Sequence, residues 1–206
     1  DYMQYCHNSG LVASEPGKDL DSAMKVVAAA PDFSWGWSAV AGAALGMTFD
    51  DPLGARSADY RKQSAEAADK AIALDKSNSE AIAVKAFLVA PTDFVGREEL
   101  FKSALSARPL ACGCEHHLYG VMLQSVGRNR EAVDEYRRST DVLALDFDSQ
   151  LGLGDALLMT GKPDDAKQHF DAAADLSSDP AVNDLITIQE VPVTRDYAAA
   201  LKAIQN

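Results

Sequence analysis

The sequence predicts an all-α chain of repeated antiparallel helical hairpins, and three observations carry that prediction. Gly120, Ala132 and Tyr136 recur 34 residues later as Gly154, Ala166 and Phe170, and Leu123 and Gly127 recur at the same step as Leu157 and Gly161. The segments at 120–136 (GVMLQSVGRNREAVDEY) and 154–170 (GDALLMTGKPDDAKQHF) both set a small residue, an apolar residue and a turn glycine ahead of an alanine and an aromatic spaced four apart. A hydrophobic content of 47%, rich in alanine, suits helices that approach one another closely. A fixed period of this kind belongs to stacked hairpins, each burying its apolar face only against its neighbours.

The pattern resembles the tetratricopeptide repeat, whose motif runs W-x2-L-G-x2-Y, then A-x3-F, then P. The resemblance is strongest over 113–180. It implies a right-handed superhelical array of about six antiparallel hairpins, a TPR-like solenoid, spanning 1–206 as a single unit. In chain order, residues 1–30 form an N-terminal hairpin broken at Pro16-Gly17, with Asp19 to Ala30 as its second helix. The repeat at 31–78 has Trp37 in the tryptophan position and a partner helix ending in AADKAIALD (67–75). An inserted loop at 48–57 separates the two, carrying the turn formers Asp50, Asp51, Pro52 and Gly54. The repeat at 79–112 supplies Phe101 as its aromatic and Pro109 as its closing proline, and the two best matches follow at 113–146 and 147–180. A capping hairpin at 181–206 keeps the phase through Ala200 and Ile204, with Val191-Pro192-Val193 in place of the usual turn.

Charge narrows the choice of partners. The formal net charge is -12, from 31 acidic and 19 basic side chains, and such a field repels a phosphate backbone. The cluster Arg128, Arg130, Arg137 and Arg138 is interleaved with Glu131, Asp134 and Glu135, which marks a solvated helix surface. Nucleic acid binding through this segment is therefore not expected. Nor is a membrane span: the most apolar run, AIAVKAFLVA at 81–90, is interrupted by Lys85. The chain opens at Asp1 without Met and almost at once inside a helix, so the expectation is a fragment of a longer protein or a processed one.

The resemblance also implies a concave groove lined by the first helix of each hairpin. Carried over residue by residue, the inward positions are Trp35, Ser38, Gly42 and Leu45; then Glu80, Ala83 and Phe87; then Cys114, His117, Val121 and Gln124; and finally Asp148, Leu151, Asp155 and Leu158. The Lys, Arg and Asn side chains with which the family grips a C-terminal carboxylate are missing at these positions. Apolar side chains beside carboxylates suit a protein or peptide segment bearing apolar and basic residues.

One stretch departs from the repeat. Cys112, Cys114, His116 and His117 cluster where other copies carry ordinary residues, and thiolate with neutral imidazole makes a zinc ligand set. Cys114 and His117 share a helix face whereas His116 points elsewhere, so Glu115 or the distant Cys6-His7 pair would have to complete the shell. A strained Cys112-Cys114 disulfide is one alternative; the other, which we prefer, is buried, hydrogen-bonded side chains that start a helix, with no cofactor bound. Three cysteines are an odd number, which favours a reducing compartment such as the cytoplasm; a membrane-anchored parent would allow the periplasm.

Catalytic patterns are missing from the sequence. It holds no G-x-S-x-G elbow, no phosphate loop and no H-E-x-x-H, and Gly152-Leu-Gly154 is absorbed by the repeat. The paired carboxylates Glu98-Glu99 and Asp164-Asp165 suit helix N-termini, and His169 a packing or solvent-facing position. The expected function is thus a non-catalytic protein-interaction module. A second, looser resemblance is to the C-terminal helical regions of bacterial winged-helix transcriptional regulators, through Tyr2, Tyr5, Gly10 and Asp32-Phe33. It implies, as the alternative, a sensory domain answering to a small ligand, a metal or a redox signal.

Overall fold

A computed structural model describes residues 16–50, 54–107, 114–177 and 180–205. Twelve helices follow one another among these residues, with no strand among them. They divide into two compact units, the first ending at Tyr119 and the second beginning at Gly120.

The first unit holds α1 (Pro16–Ala29), α2 (Ser34–Asp50), α3 (Ser57–Leu74), α4 (Ser79–Leu88), α5 (Phe94–Ser106) and the opening of α6 (Cys114–Ser125). Helix α2 is apolar around most of its circumference, which requires neighbours on several sides. It has them in α1, α3 and α4. Small side chains let these helices come close: Ala23, Ala39, Ala41, Ala43, Ala67, Ala68, Ala71 and Ala81 dominate the core, with Val27, Val40, Leu45 and Val84 filling the gaps. Buried hydroxyls tie the backbones together. Ser34 Oγ donates to the Ala71 carbonyl at 3.0 Å and Ser64 Oγ to the Ala41 carbonyl at 2.7 Å. Asn78 caps α4 by accepting from the Ala81 amide at 2.9 Å, while its Nδ2 donates to Ser34 Oγ at 2.8 Å. Phe101 is fully buried on α5 and stacks on Tyr119, ring centroids 5.1 Å apart.

The second unit continues with α7 (Asn129–Val142), α8 (Phe147–Met159), α9 (Pro163–Leu176), α10 (Pro180–Gln189), the single turn α11 (Val191–Thr194) and α12 (Tyr197–Ile204). Gly127 and Gly161 both adopt φ 77°, the left-handed conformation that ends a helix. Each helix end closes in the same way: the Arg128 amide bonds the Leu123 carbonyl at 2.9 Å, and the Lys162 amide the Leu157 carbonyl at 3.0 Å. The 34-residue step thus repeats at the level of the backbone. Ala132 and Tyr136 on α7, and Ala166 and Phe170 on α9, are at most 1% exposed. Their rings lie against helical glycines: a Cβ on Gly154 would stand 2.7 Å from Phe170, and one on Gly120 2.8 Å from Tyr136.

Several boundaries differ from the sequence expectation. Pro16 and Gly17 open α1 instead of breaking a hairpin, since proline is tolerated in the first turn, where its missing N–H has no partner to lose. Thr48 and Asp50 belong to the last turn of α2, and Ser57 already begins α3, so the connection is shorter than the loop expected at 48–57. Val191-Pro192-Val193 forms the one-turn α11, closed by Arg195 at φ 55°, and α10 packs on α12. Ala200 keeps its buried place at 7% exposure, whereas Ile204 is 66% exposed. The first half of the expected 1–30 hairpin, and Pro109, lie outside the described residues.

Changing Gly154 to Ala is expected to cost about 1–3 kcal/mol through the clash with Phe170. Gly46→Ala, where nothing lies within 4 Å of the new methyl, should instead stabilise by up to about 1 kcal/mol. Thermal melts followed by circular dichroism would check the opposite signs.

Candidate functional site

The positions carried over from the repeat separate by burial. In the first unit Ser38, Leu45, Glu80 and Ala83 are at most 3% exposed, so they belong to the interior and present nothing to a partner. Their chemistry is internal: Ser38 Oγ donates to Glu80 Oε2 at 2.9 Å. Trp35 and Gly42 are half-buried, as are Phe87 and His117. Phe87 carries the guanidinium of Arg97 above its ring, with Cζ 5.4 Å from the centroid.

The second unit keeps more of its positions accessible. Val121 and Gln124 on α6, and Leu151, Asp155 and Leu158 on α8, are all half-buried, and Asp148 is exposed. The three- and four-residue spacing within each helix sets these side chains in a row. Tyr136 reaches this region from α7, its hydroxyl donating to Gln124 Oε1 at 2.9 Å. Burial, followed by the charges of Asp155 and Asp148, pushes the Tyr136 phenol far above its ordinary value, so it remains a neutral donor. Burial also raises the Asp155 carboxyl to about 6. Gln189 of α10 donates to Asp155 Oδ2 at a long 3.5 Å, and its own Oε1 is buried with no hydrogen-bond partner among the described residues. The ensemble is apolar side chains beside acceptors short of a donor.

Only part of the Cys/His cluster falls among the described residues. Cys112, Cys6 and His7 lie outside the described residues. Cys114 opens α6, its Sγ 3.9 Å from Glu115 Oε2. The Glu115 carboxylate, a candidate to close the shell, is 3% exposed and accepts a short hydrogen bond from Ser79 Oγ. Among the described residues no three His, Cys, Asp or Glu side chains gather as a metal site would require.

Other features have structural roles. Arg128 makes a two-pronged pair with Glu131 at 2.7 and 2.6 Å, and Arg138 pairs with Glu135 at 2.5 Å. Asp164 and Asp165 sit in the first turn of α9, but Glu98 and Glu99 lie beyond the first turn of α5, where Glu98 meets Lys102 at 2.9 Å. His169 Nδ1 meets Gln150 Oε1 at 2.7 Å, and burial, then Arg137, lowers its basicity. Sequence reasoning missed Tyr136 and Gln189 as neighbours of the row: Tyr136 had been assigned wholly to packing, and α10 lies where the repeat is least regular.

Three solved structures share this arrangement of hairpins. YrrB, a TPR protein with an unusual peptide-binding site, matches with a TM-score of 0.51 at 17% identity, over 91% of this chain and all of its own. The fold is TPR-like. Pseudomonas aeruginosa PilF matches this TPR-like chain at 0.60 and 16% identity, over 99% of it and 89% of PilF. PilW, a widely conserved type IV pilus biogenesis factor, matches at 0.59 and 13%, over 98% and 86%. No protein-family model and no curated protein matches the sequence. The resemblance to winged-helix regulators gains no support: Tyr2, Tyr5 and Gly10 lie outside the described residues, and none of these three structures is described as a regulator.

Asp155 gives the TPR-like row a pH signature. Its proton is held more tightly in the folded chain than in the unfolded, so folding takes one up between its ordinary 3.8 and about 6. Ionised Asp155 therefore costs stability above about pH 6, and the cost vanishes as pH falls towards 3.8. Asp155→Asn is expected to raise the melting temperature by a few degrees at pH 7.5, about 1 kcal/mol after solvent screening, and to leave it unchanged near pH 4.

Proposed function

We propose that this chain is a non-catalytic protein-interaction module whose second unit holds a peptide or protein segment carrying apolar and basic residues. The observation behind this reading is the row of Val121, Leu151 and Leu158 beside Asp148, the partly desolvated Asp155 and the unpartnered Gln189 Oε1. An apolar side chain gains by covering the leucines, at about 25 cal/mol per Å² removed from water. A lysine or arginine supplies the donor that these acceptors lack, and its charge offsets the desolvation that raises Asp155. The overall charge of -12 favours approach of a basic partner. YrrB, which shares the fold, has a peptide-binding site of its own, a precedent for this use of the architecture.

The test is fluorescence anisotropy with paired amphipathic peptides, Leu/Lys against Leu/Glu. At pH 7.5 the Leu/Lys peptide should bind and the Leu/Glu peptide should not, with Leu151→Asp and Asp155→Asn each weakening binding about tenfold. Wild-type affinity should fall as pH drops through about 6, where Asp155 takes up its proton, and this step should be missing from Asp155→Asn. Equal binding of both peptides, or undiminished binding by folded variants, would sink the proposal.

A further inference from the structure

Among its described residues, the first unit carries a buried cation with no carboxylate partner. Arg97 is only 6% exposed, yet among the described residues its Nε has no hydrogen-bond partner. Its guanidinium lies over the face of Phe87, Cζ 5.4 Å from the ring centroid. Burying a guanidinium on an aromatic ring leaves most of its desolvation cost uncompensated, because hydrogen bonds and an opposite charge are what normally offset it. Of the acids nearest along α5, Asp93 caps the helix through the Gly96 amide at 2.9 Å, Glu98 takes Lys102 and the Tyr119 hydroxyl, and Glu99, two residues on, is exposed on another face.

A second guanidinium approaches the end of α4. Arg61 on α3 reaches the Leu88 carbonyl with Nη2 at 3.4 Å, next in sequence to the residue under Arg97. That long contact uses one of the several N–H donors an arginine carries. Burial first, then the charge of Arg61, pulls the basicity of Arg97 down. In a chain of net charge -12, two arginines near enough for one to lower the other's basicity, neither with a carboxylate partner among the described residues, are an arrangement that an anion would relieve.

We propose that Arg97 and Arg61 form a carboxylate-binding site at the end of α4, taking one carboxylate from a partner's chain terminus or acidic side chain. The planar fork of a guanidinium matches a carboxylate with two parallel hydrogen bonds. A phosphate dianion meets a stronger long-range opposition on approach to a chain of net charge -12 than a carboxylate does. Neither arginine stands on the first-helix row carried over from the repeat, so this site is separate from the apolar and acidic face of the second unit and does not rest on the proposal made for it.

The Arg97 Nε–H is shielded from exchange by burial, so its side-chain resonance in a 15N-labelled full chain reports the site directly. Titration with propionate at constant ionic strength should shift that resonance saturably, with a midpoint on the order of 10 mM. Chloride should not. Arg61→Ala, a change at an exposed side chain, should weaken the response about fivefold while leaving the fold intact. A tripeptide with a free C-terminus and a fully capped one bearing a single Glu distinguish the two sources of the carboxylate, and saturation by either supports the site. Propionate acting no more strongly than chloride, an unchanged response in Arg61→Ala, or tighter saturation by inorganic phosphate than by propionate would each overturn the assignment.

Discussion

The second unit depends on one close contact, the ring of Tyr136 held between two glycines. A Cβ on Gly120 of α6 would stand 2.8 Å from that ring, and one on Gly152 of α8 2.7 Å. The same ring therefore fixes the spacing within its own hairpin and at the seam with the next helix. Phe170 repeats the inner half of the device against Gly154. Gln124 lies four residues after Gly120 and Asp155 three after Gly152, each on the glycine's side of its helix, so the candidate site borders the ring and Gln124 accepts the Tyr136 hydroxyl at 2.9 Å.

The first unit solves the same packing problem mainly with alanine, although Gly36 of α2 meets Val26 of α1, where a Cβ would stand 3.0 Å away. Its seams are alanine on alanine, with Ser34, Ser64 and Asn78 joining backbones that small side chains have brought together. This explains why legibility was uneven. A glycine opposite an aromatic leaves a mark at fixed spacing, and the hairpins over 120–170 were recognisable from it. Alanine seams leave no such mark, so the ends of α1 and α2 were misplaced. The buried Ser38-Glu80 and Ser79-Glu115 pairs were likewise invisible, since a glutamate in a sequence is read as solvent-facing. Ser38, Leu45, Glu80 and Ala83, four of the fifteen carried-over positions, proved to be interior. Arg97 escaped notice for the same reason: no spacing in sequence shows that a cation will be laid on Phe87.

Charge is distributed in keeping with these constraints. Around α7, Arg128, Arg137 and Arg138 each pair with an acid three residues away in sequence. The carboxylates of α8 have no such local cations, and Asp155 bears the cost in its raised proton affinity. Arg97 is the counterpart in the first unit, a buried cation whose Nε has no hydrogen-bond partner among the described residues. Both are groups whose charge is poorly compensated within the described residues, which is why each is proposed as a place for another molecule.

The most direct measurement is a side-chain chemical-shift footprint of the full chain on titration with a Leu/Lys amphipathic peptide. The account predicts changes concentrated on the methyls of Val121, Leu151 and Leu158 and the amide of Gln124, with the methyls of the α7 and α9 outer faces unmoved. A footprint on those outer faces, or one spread evenly over the acidic surface, would contradict it.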